Sequence, residues 1–176
     1  MSADTLFYFS KIDSGSANGN AILKQDNQTI SGQKIEYKEF PDSKGVSYAA
    51  RGSVMILEQE RLATCGEAVY DLKNGKTTLR INPEITDNGQ VITGSEIFLK
   101  YKEDVLQDIF IPKDARAIRP TNGTREWFEV VDGDTSTFTD SASFVDDMTG
   151  STLRGFFVDG SLDSLRLEGM ATTIYH

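Results

Sequence analysis

Few residues in this chain are of types that do covalent chemistry, and their spacing works against it. There is one histidine, His176, the last residue, and one cysteine, Cys65. A Ser/His/Asp or Cys/His arrangement needs an imidazole within hydrogen-bond reach of the nucleophile, and a terminal histidine is a poor source of one. No HExxH, CxxC or histidine cluster offers transition-metal ligands. Asp132-Gly133-Asp134-Thr135-Ser136 begins like a calcium loop. Such a loop wants glycine at its sixth position and glutamate at its twelfth, where this chain has Thr137 and Ser143. It reads as an acidic turn, as does Asp146-Asp147 before Gly150. Asp71, Glu84, Asp108 and Glu129 are scattered, whereas glycoside hydrolysis needs two carboxylates at a set separation across a cleft. Asn27-Gln28-Thr29 and Asn122-Gly123-Thr124 match the glycosylation triplet, which counts only in a eukaryotic secretory route. The chain reads as a non-enzyme with no cofactor and no metal site.

What the sequence does supply is an apolar set at period two. Ile35, Tyr37, Val54, Ile56, Leu79, Ile81, Ile97, Leu99, Ile109, Ile111, Leu165, Leu167 and Ile174 would line one interior. Two readings stand for it: a packed core, or an elongated groove that accepts acyl chains.

The elements that must position these residues are strands. From Cys65 to Tyr101, three runs alternate apolar and polar residues: Gly66–Leu72, Thr78–Ile81 and Glu96–Tyr101. Asn74-Gly75, Asp87-Asn88-Gly89 and Thr93-Gly94 punctuate them, the pattern of half-buried strands joined by tight turns. The same unit recurs along the chain, with strands at Leu6–Phe9, Gly19–Lys24, Ile30–Tyr37, Gly52–Leu57, Asp108–Ile111, Gly150–Val158 and Leu165–Tyr175. Ser14-Gly15-Ser16, Asp26-Asn27-Gln28, Pro41–Gly45 and Glu58–Arg61 read as turns or loops. Pro120–Arg125 reads as the strongest loop, between weaker strands at Glu126–Val131 and Ser136–Phe144. No stretch has helical periodicity, so the expected class is all-β.

Two glycine motifs repeat. Ser31-Gly32, Thr93-Gly94 and Thr149-Gly150 form one group. Gly19-Asn20-Ala21, Gly52-Ser53-Val54, Gly66-Glu67-Ala68 and Gly169-Met170-Ala171 form the other. A strand pair that cannot bury a core alone, repeated, implies stacking along an axis. Glycine at these points permits a sharp bend or a close backbone approach.

At 176 residues the expectation is one domain spanning 1–176, large enough to bury a core. Net charge is −9, from 27 acidic and 18 basic residues, which argues against a nucleic-acid partner. No apolar run approaches the ~18 residues of a membrane-spanning helix. Met1-Ser2-Ala3 has neither the charged nor the apolar region of a signal peptide, and one cysteine leaves the redox compartment open.

The order of Gly19-Asn20-Ala21-Ile22, Ile30-Ser31-Gly32-Gln33-Lys34-Ile35, Gly52-Ser53-Val54-Met55-Ile56, Gly66-Glu67-Ala68-Val69-Tyr70 and Thr93-Gly94-Ser95-Glu96-Ile97 resembles the OstA-like repeat. That family includes the LptA-like periplasmic lipopolysaccharide-transport bridge proteins and related domains of outer-membrane biogenesis. The resemblance is clearest over residues 4–118 and returns over 161–175, leaving 119–148 as an irregular insertion. It implies an elongated β-jellyroll, solenoid-like, of stacked antiparallel strands open at both ends. It implies lipid binding, with acyl chains of lipopolysaccharide or a related glycolipid held inside and sugars outside. It also implies oligomers, through head-to-tail pairing of edge strands with further copies or with other jellyroll transport components; Leu6–Phe9 and Gly169–Tyr175 are the expected edges. A periplasmic location, with the signal peptide absent from this sequence, belongs to the same expectation. The chain stops within a strand pattern, as a piece of a longer protein would. Two other readings remain: a self-assembling structural β-scaffold with a filled interior, and a carbohydrate-binding β-solenoid, for which Trp127-Phe128 is the candidate aromatic cluster.

Overall fold

A computed structural model describes residues 1–25, 28–40, 45–103, 105–131, 134–158 and 161–174. The expected turns at Asp26-Asn27 and over 41–44, the Asp132-Gly133 acidic turn, and Tyr175 and His176 lie outside the described residues. So do the side chains of Trp127 and Phe128.

Among the described residues, fifteen strands run in one antiparallel ladder: β1 (Thr5–Phe9), β2 (Ser14–Gln25), β3 (Gln28–Phe40), β4 (Gly45–Glu58), β5 (Arg61–Asp71), β6 (Lys76–Arg80), β7 (Glu84–Asp87), β8 (Gln90–Thr93), β9 (Glu96–Lys102), β10 (Val105–Ile111), β11 (Ala115–Val131), β12 (Asp134–Gly150), β13 (Thr152–Val158), β14 (Ser161–Glu168) and β15 (Thr172–Ile174). A single 3-10 turn, Leu72–Asn74, is the helical structure among the described residues.

The glycine motifs are the key to the architecture. They form one seam across the ladder, at which β2–β5 bend and the later strands start and stop. Gly19-Asn20 and Gly52-Ser53 both have positive φ, and the pairing of β2 with β3, of β3 with β4 and of β4 with β5 shifts register at those points. Gly66 of β5 faces the next bend, at Ile81-Asn82, and its N–H donates to the Ile81 carbonyl at 2.8 Å. Further on, the Ser95 N–H donates to the carbonyl of Lys113, and that of Ser151 to the carbonyl of Gly169.

The seam divides the ladder into two leaves. The halves of β2–β5 containing residues 14–18, 34–38, 48–51 and 67–71 continue into β6, β9, β10, β13 and β14. The opposite halves continue into β7, β8, β11, β12 and β15. After β5 the chain alternates between leaves at each bend. Both inner faces contribute to one hydrophobic cluster, with Ile35, Leu79, Ile97 and Ile109 from the first leaf and Ile30, Val54, Ile85 and Ile92 from the second. The all-β jellyroll expectation therefore holds.

Residues 119–131 and 134–148 depart from expectation: they are regular strand rather than irregular, and Pro120–Arg125 is not a loop. β11 and β12 pair without a break from Ala115↔Gly150 to Val131↔Asp134. On its other side β11 pairs with β8 only through Arg116–Ile118. Pro120 thus falls where no β8 partner asks for its N–H, a position a strand tolerates, and the flanking Thr, Trp, Phe and Val residues favour extended backbone. Likewise Ser14-Gly15-Ser16 is strand, paired with Tyr8, Phe7 and Phe9 of β1.

Candidate functional site: the interior between the leaves

Of the thirteen residues expected inside, eight are almost fully buried: Ile35, Val54, Ile56, Leu79, Ile97, Leu99, Ile109 and Ile111. Tyr37, Leu165 and Leu167 pack against the same cluster but are half-buried. Ile81 and Ile174 stand outside the interior, 64% and 51% exposed. The register of Thr77 and Leu79 would carry Ile81 inward, but the positive-φ bend at Ile81-Asn82 swings it out. It lies over Gly66, where an added Cβ would meet the Ile81 Cβ at 2.7 Å. Ile174 sits on the short terminal strand β15, which pairs with β12 through three residues.

The interior is closed along its middle and less covered at its ends. Leu162, Leu165 and Leu167 of β14 are partly exposed, and at the other end Leu6, Phe7, Tyr8 and Phe9 of β1 are all exposed. Among the described residues β1 pairs with β2 alone and β14 with β13 alone, so within them each leaves one edge unpaired, as an edge strand does.

Opposite the seam, a polar cluster joins the leaves. Arg61 and Asp87 are 8% and 9% exposed. Arg61 donates from Nε and Nη2 to Oδ2 of Asp87 at 3.2 and 3.0 Å, and its Nη1 lies 3.9 Å from Oε2 of Glu58. These residues belong to the second leaf. From the first, the Tyr101 hydroxyl donates to Oε2 of Glu58 at 3.1 Å, and the Phe157 ring stacks on the Arg61 guanidinium with 4.8 Å from Cζ to centroid. The sequence reading placed Glu58–Arg61 in a polar turn and missed this cluster. Period two could have found it, since Arg61 shares its face with Ala63 and Cys65, and Asp87 shares its face with Ile85.

Burial sets the titration of the interior. It pushes the Cys65 thiol up to about 11. Burial, with the Glu58 carboxylate next in weight, raises the Tyr101 phenol well above its usual value, and Tyr48 is raised chiefly by burial as well. In the unfolded chain these groups lose their protons near pH 8.5 for Cys and pH 10 for Tyr, before they do so in the fold. The fold then binds more protons than the unfolded chain, so stability is full below about pH 8.5 and falls as pH rises beyond it. The melting temperature by circular dichroism should be flat from about pH 7 to 8.5 and drop between about pH 9 and 11. Iodoacetamide at pH 8 should label Cys65 slowly in the native chain and readily in urea.

Among the described residues no group of three His, Cys, Asp or Glu side chains could hold a metal ion. The site is an apolar interior between the two leaves of a β-jellyroll, less covered at its two ends.

Comparison with known proteins agrees. Residues 2–105, which cover β1–β9, match the family model described as LptA/(LptD N-terminal domain) LPS transport protein. This chain belongs to that family. Among solved structures it is similar to the crystal structure of LptH, the LptA homologous periplasmic component of the conserved lipopolysaccharide transport device from Pseudomonas aeruginosa. The TM-score is 0.53 at 13% sequence identity, over 60% of this chain and 77% of that one. At that identity the likeness establishes the fold. A search among curated proteins finds no match.

Proposed function

We propose that this chain is a non-enzymatic carrier that shields the acyl chains of lipopolysaccharide, or of a related glycolipid, between its leaves during transport to the outer membrane. The observation that carries this reading is the interior itself: inward aliphatic side chains contributed by nearly every strand, less covered at both ends. Family membership supports the substrate class. Burying one CH₂ contributes about 0.8 kcal/mol, so a 12-carbon chain could gain about 10 kcal/mol before costs. Such a carrier must hold its cargo in a partly open groove to release it. The two-leaved form suits that need, because the contacts of Tyr101 with Glu58, Phe157 with Arg61 and Tyr48 with Gln28 join the leaves and would part to widen the mouth.

The free edge of β1, with four exposed apolar residues, and the free edge of β14 favour head-to-tail pairing with a second copy or another jellyroll component. Work in the periplasm completes the proposal. Native mass spectrometry of the purified chain, with lipid extraction, tests it. Co-purified lipid or saturable uptake of added lipopolysaccharide is expected, with concentration-dependent oligomers. Oligomers that take up no lipid would replace the carrier with a structural scaffold.

A further inference from the structure

The outer face of the second leaf is apolar where a sheet facing water is usually polar. Val54-Met55-Ile56-Leu57 of β4 is an unbroken apolar run. Val54 and Ile56 are buried in the interior, whereas Met55 and Leu57 point outward, 47% and 46% exposed. A strand that reads apolar on both faces belongs to a sheet covered on both faces. Strand register extends the pattern across the leaf. One outward row runs from Ile22 of β2 to Thr172 of β15 and passes through Met55. The next runs from Lys24 to Ile174 and passes through Leu57, Leu62, Val91 and Ile118. Most of the remaining positions in the two rows are threonine.

The outer faces of the two leaves differ in charge. The first is laced with ion pairs: Arg51 with Glu36 and Glu67, and Arg80 with Glu67 and Glu96. The two rows of the second carry Lys24, Glu84, Arg116 and Asp147, two of each sign. Arg116 and Asp147 are bound to each other by two hydrogen bonds, at 2.9 and 2.7 Å. The face is therefore neutral in a chain of net charge −9.

We propose that this face binds the same face of a second copy, as a two-fold dimer. Two chains of like charge meet with least repulsion at a face that carries no net charge. A two-fold contact uses one patch twice, and the aliphatic rows pack on their own image as the sheets of a sandwich do. Hydrocarbon would leave the threonine hydroxyls without polar neighbours, whereas a matching face brings hydroxyls of its own. Nine strands of this leaf, at ~4.8 Å each and about four residues deep, give about 600 Å² per copy. Two copies then bury about 1,200 Å², the lower limit of specific interfaces, so the dimer should form reversibly with concentration. The face is separate from the interior and from the unpaired edges of β1 and β14. The dimer therefore stands or falls apart from lipid uptake and head-to-tail pairing.

The test is a dilution series of the full chain, labelled at its methionine methyls, followed by NMR and by sedimentation equilibrium. The Met55 methyl should shift saturably with concentration, and that of Met148, packed against the interior, should not. Phe7→Asp, which puts a charge on the β1 edge, blocks head-to-tail growth. In that variant sedimentation should stop at a dimer. Adding Leu57→Glu, which sets carboxylates on both faces, should raise the dissociation constant at least tenfold with an unchanged circular dichroism spectrum. A Met55 resonance indifferent to concentration, a dimer that Leu57→Glu leaves intact, or one that Phe7→Asp abolishes would overturn the proposal. A Met55 shift seen only with added phosphatidylcholine vesicles would overturn it too and give the face to a membrane.

Discussion

Asp87→Ala is expected to destabilise the fold by about 3 kcal/mol, near the low end of the ~3–5 range for breaking a buried ion pair. The reason is geometric. Arg61 is almost fully buried and aims two N–H groups at one Asp87 oxygen. With that carboxylate gone, the nearest anion among these partners is Glu58, at 3.9 Å, already engaged by Tyr101. For a chain of this size each kcal/mol shifts the melting temperature by roughly 2–4 °C, so a drop of roughly 6–12 °C should appear in thermal unfolding. Converting both partners to apolar residues of similar volume, Arg61→Met with Asp87→Leu, should recover part of the loss, because the buried cation leaves with its carboxylate, while Glu58 keeps its bond from Tyr101 but loses its cation. If the double variant were as unstable as the single one, packing rather than charge would be the cause.

Gly52→Val should be comparably damaging, at about 2–6 kcal/mol, since it adds backbone strain to a steric clash. Gly52 sits on the seam with φ +79°, and an added Cβ would lie 2.9 Å from the Cβ of Gln33 on β3. A β-branched residue is a genuine outlier at such a φ. The bend here also lets β4 contribute to both leaves, so the damage should reach the pairing of β4 with β3 and with β5. Ala49→Val, on the outer face of the same strand, should change stability by about 0.5 kcal/mol or less. Urea unfolding of the two variants separates a seam effect from a general intolerance of valine in β4.

The fold was legible because period two and the glycine motifs point the same way. Alternation at Thr78–Ile81 and Glu96–Tyr101 marks strands with one buried face, and the repeated Gly19, Gly52, Gly66, Gly94, Gly150 and Gly169 mark the seam. That Gly19, Gly52 and Gly66 fall within long strands, while Gly94, Gly150 and Gly169 fall where the chain crosses from one leaf to the other, depends on pairing partners far away in sequence. That is also why Ile81 was misplaced: alternation assumes a straight strand, and the chain turns at that residue. Residues 119–148 were misread through Pro120 and Gly123, whose breaking tendency is overridden by an unbroken partner strand. The interior side chains were mostly readable, because burial follows the alternation. The Arg61–Asp87 pair was passed over because charged residues at strand ends look like turn residues unless the inward register is carried through to them.

The central claim is that lipid lies between the leaves, and photo-crosslinking at paired positions tests it most directly. A benzophenone amino acid is placed at the inward, half-buried Tyr37 and Leu167, and in separate variants at their outward neighbours Glu36 and Arg166. Each purified variant is loaded with lipopolysaccharide and irradiated. Crosslinks at positions 37 and 167 with little at 36 and 166 are the expected result. Equal crosslinking on both faces, or crosslinks confined to 36 and 166, would contradict a carrier that shelters acyl chains in its interior.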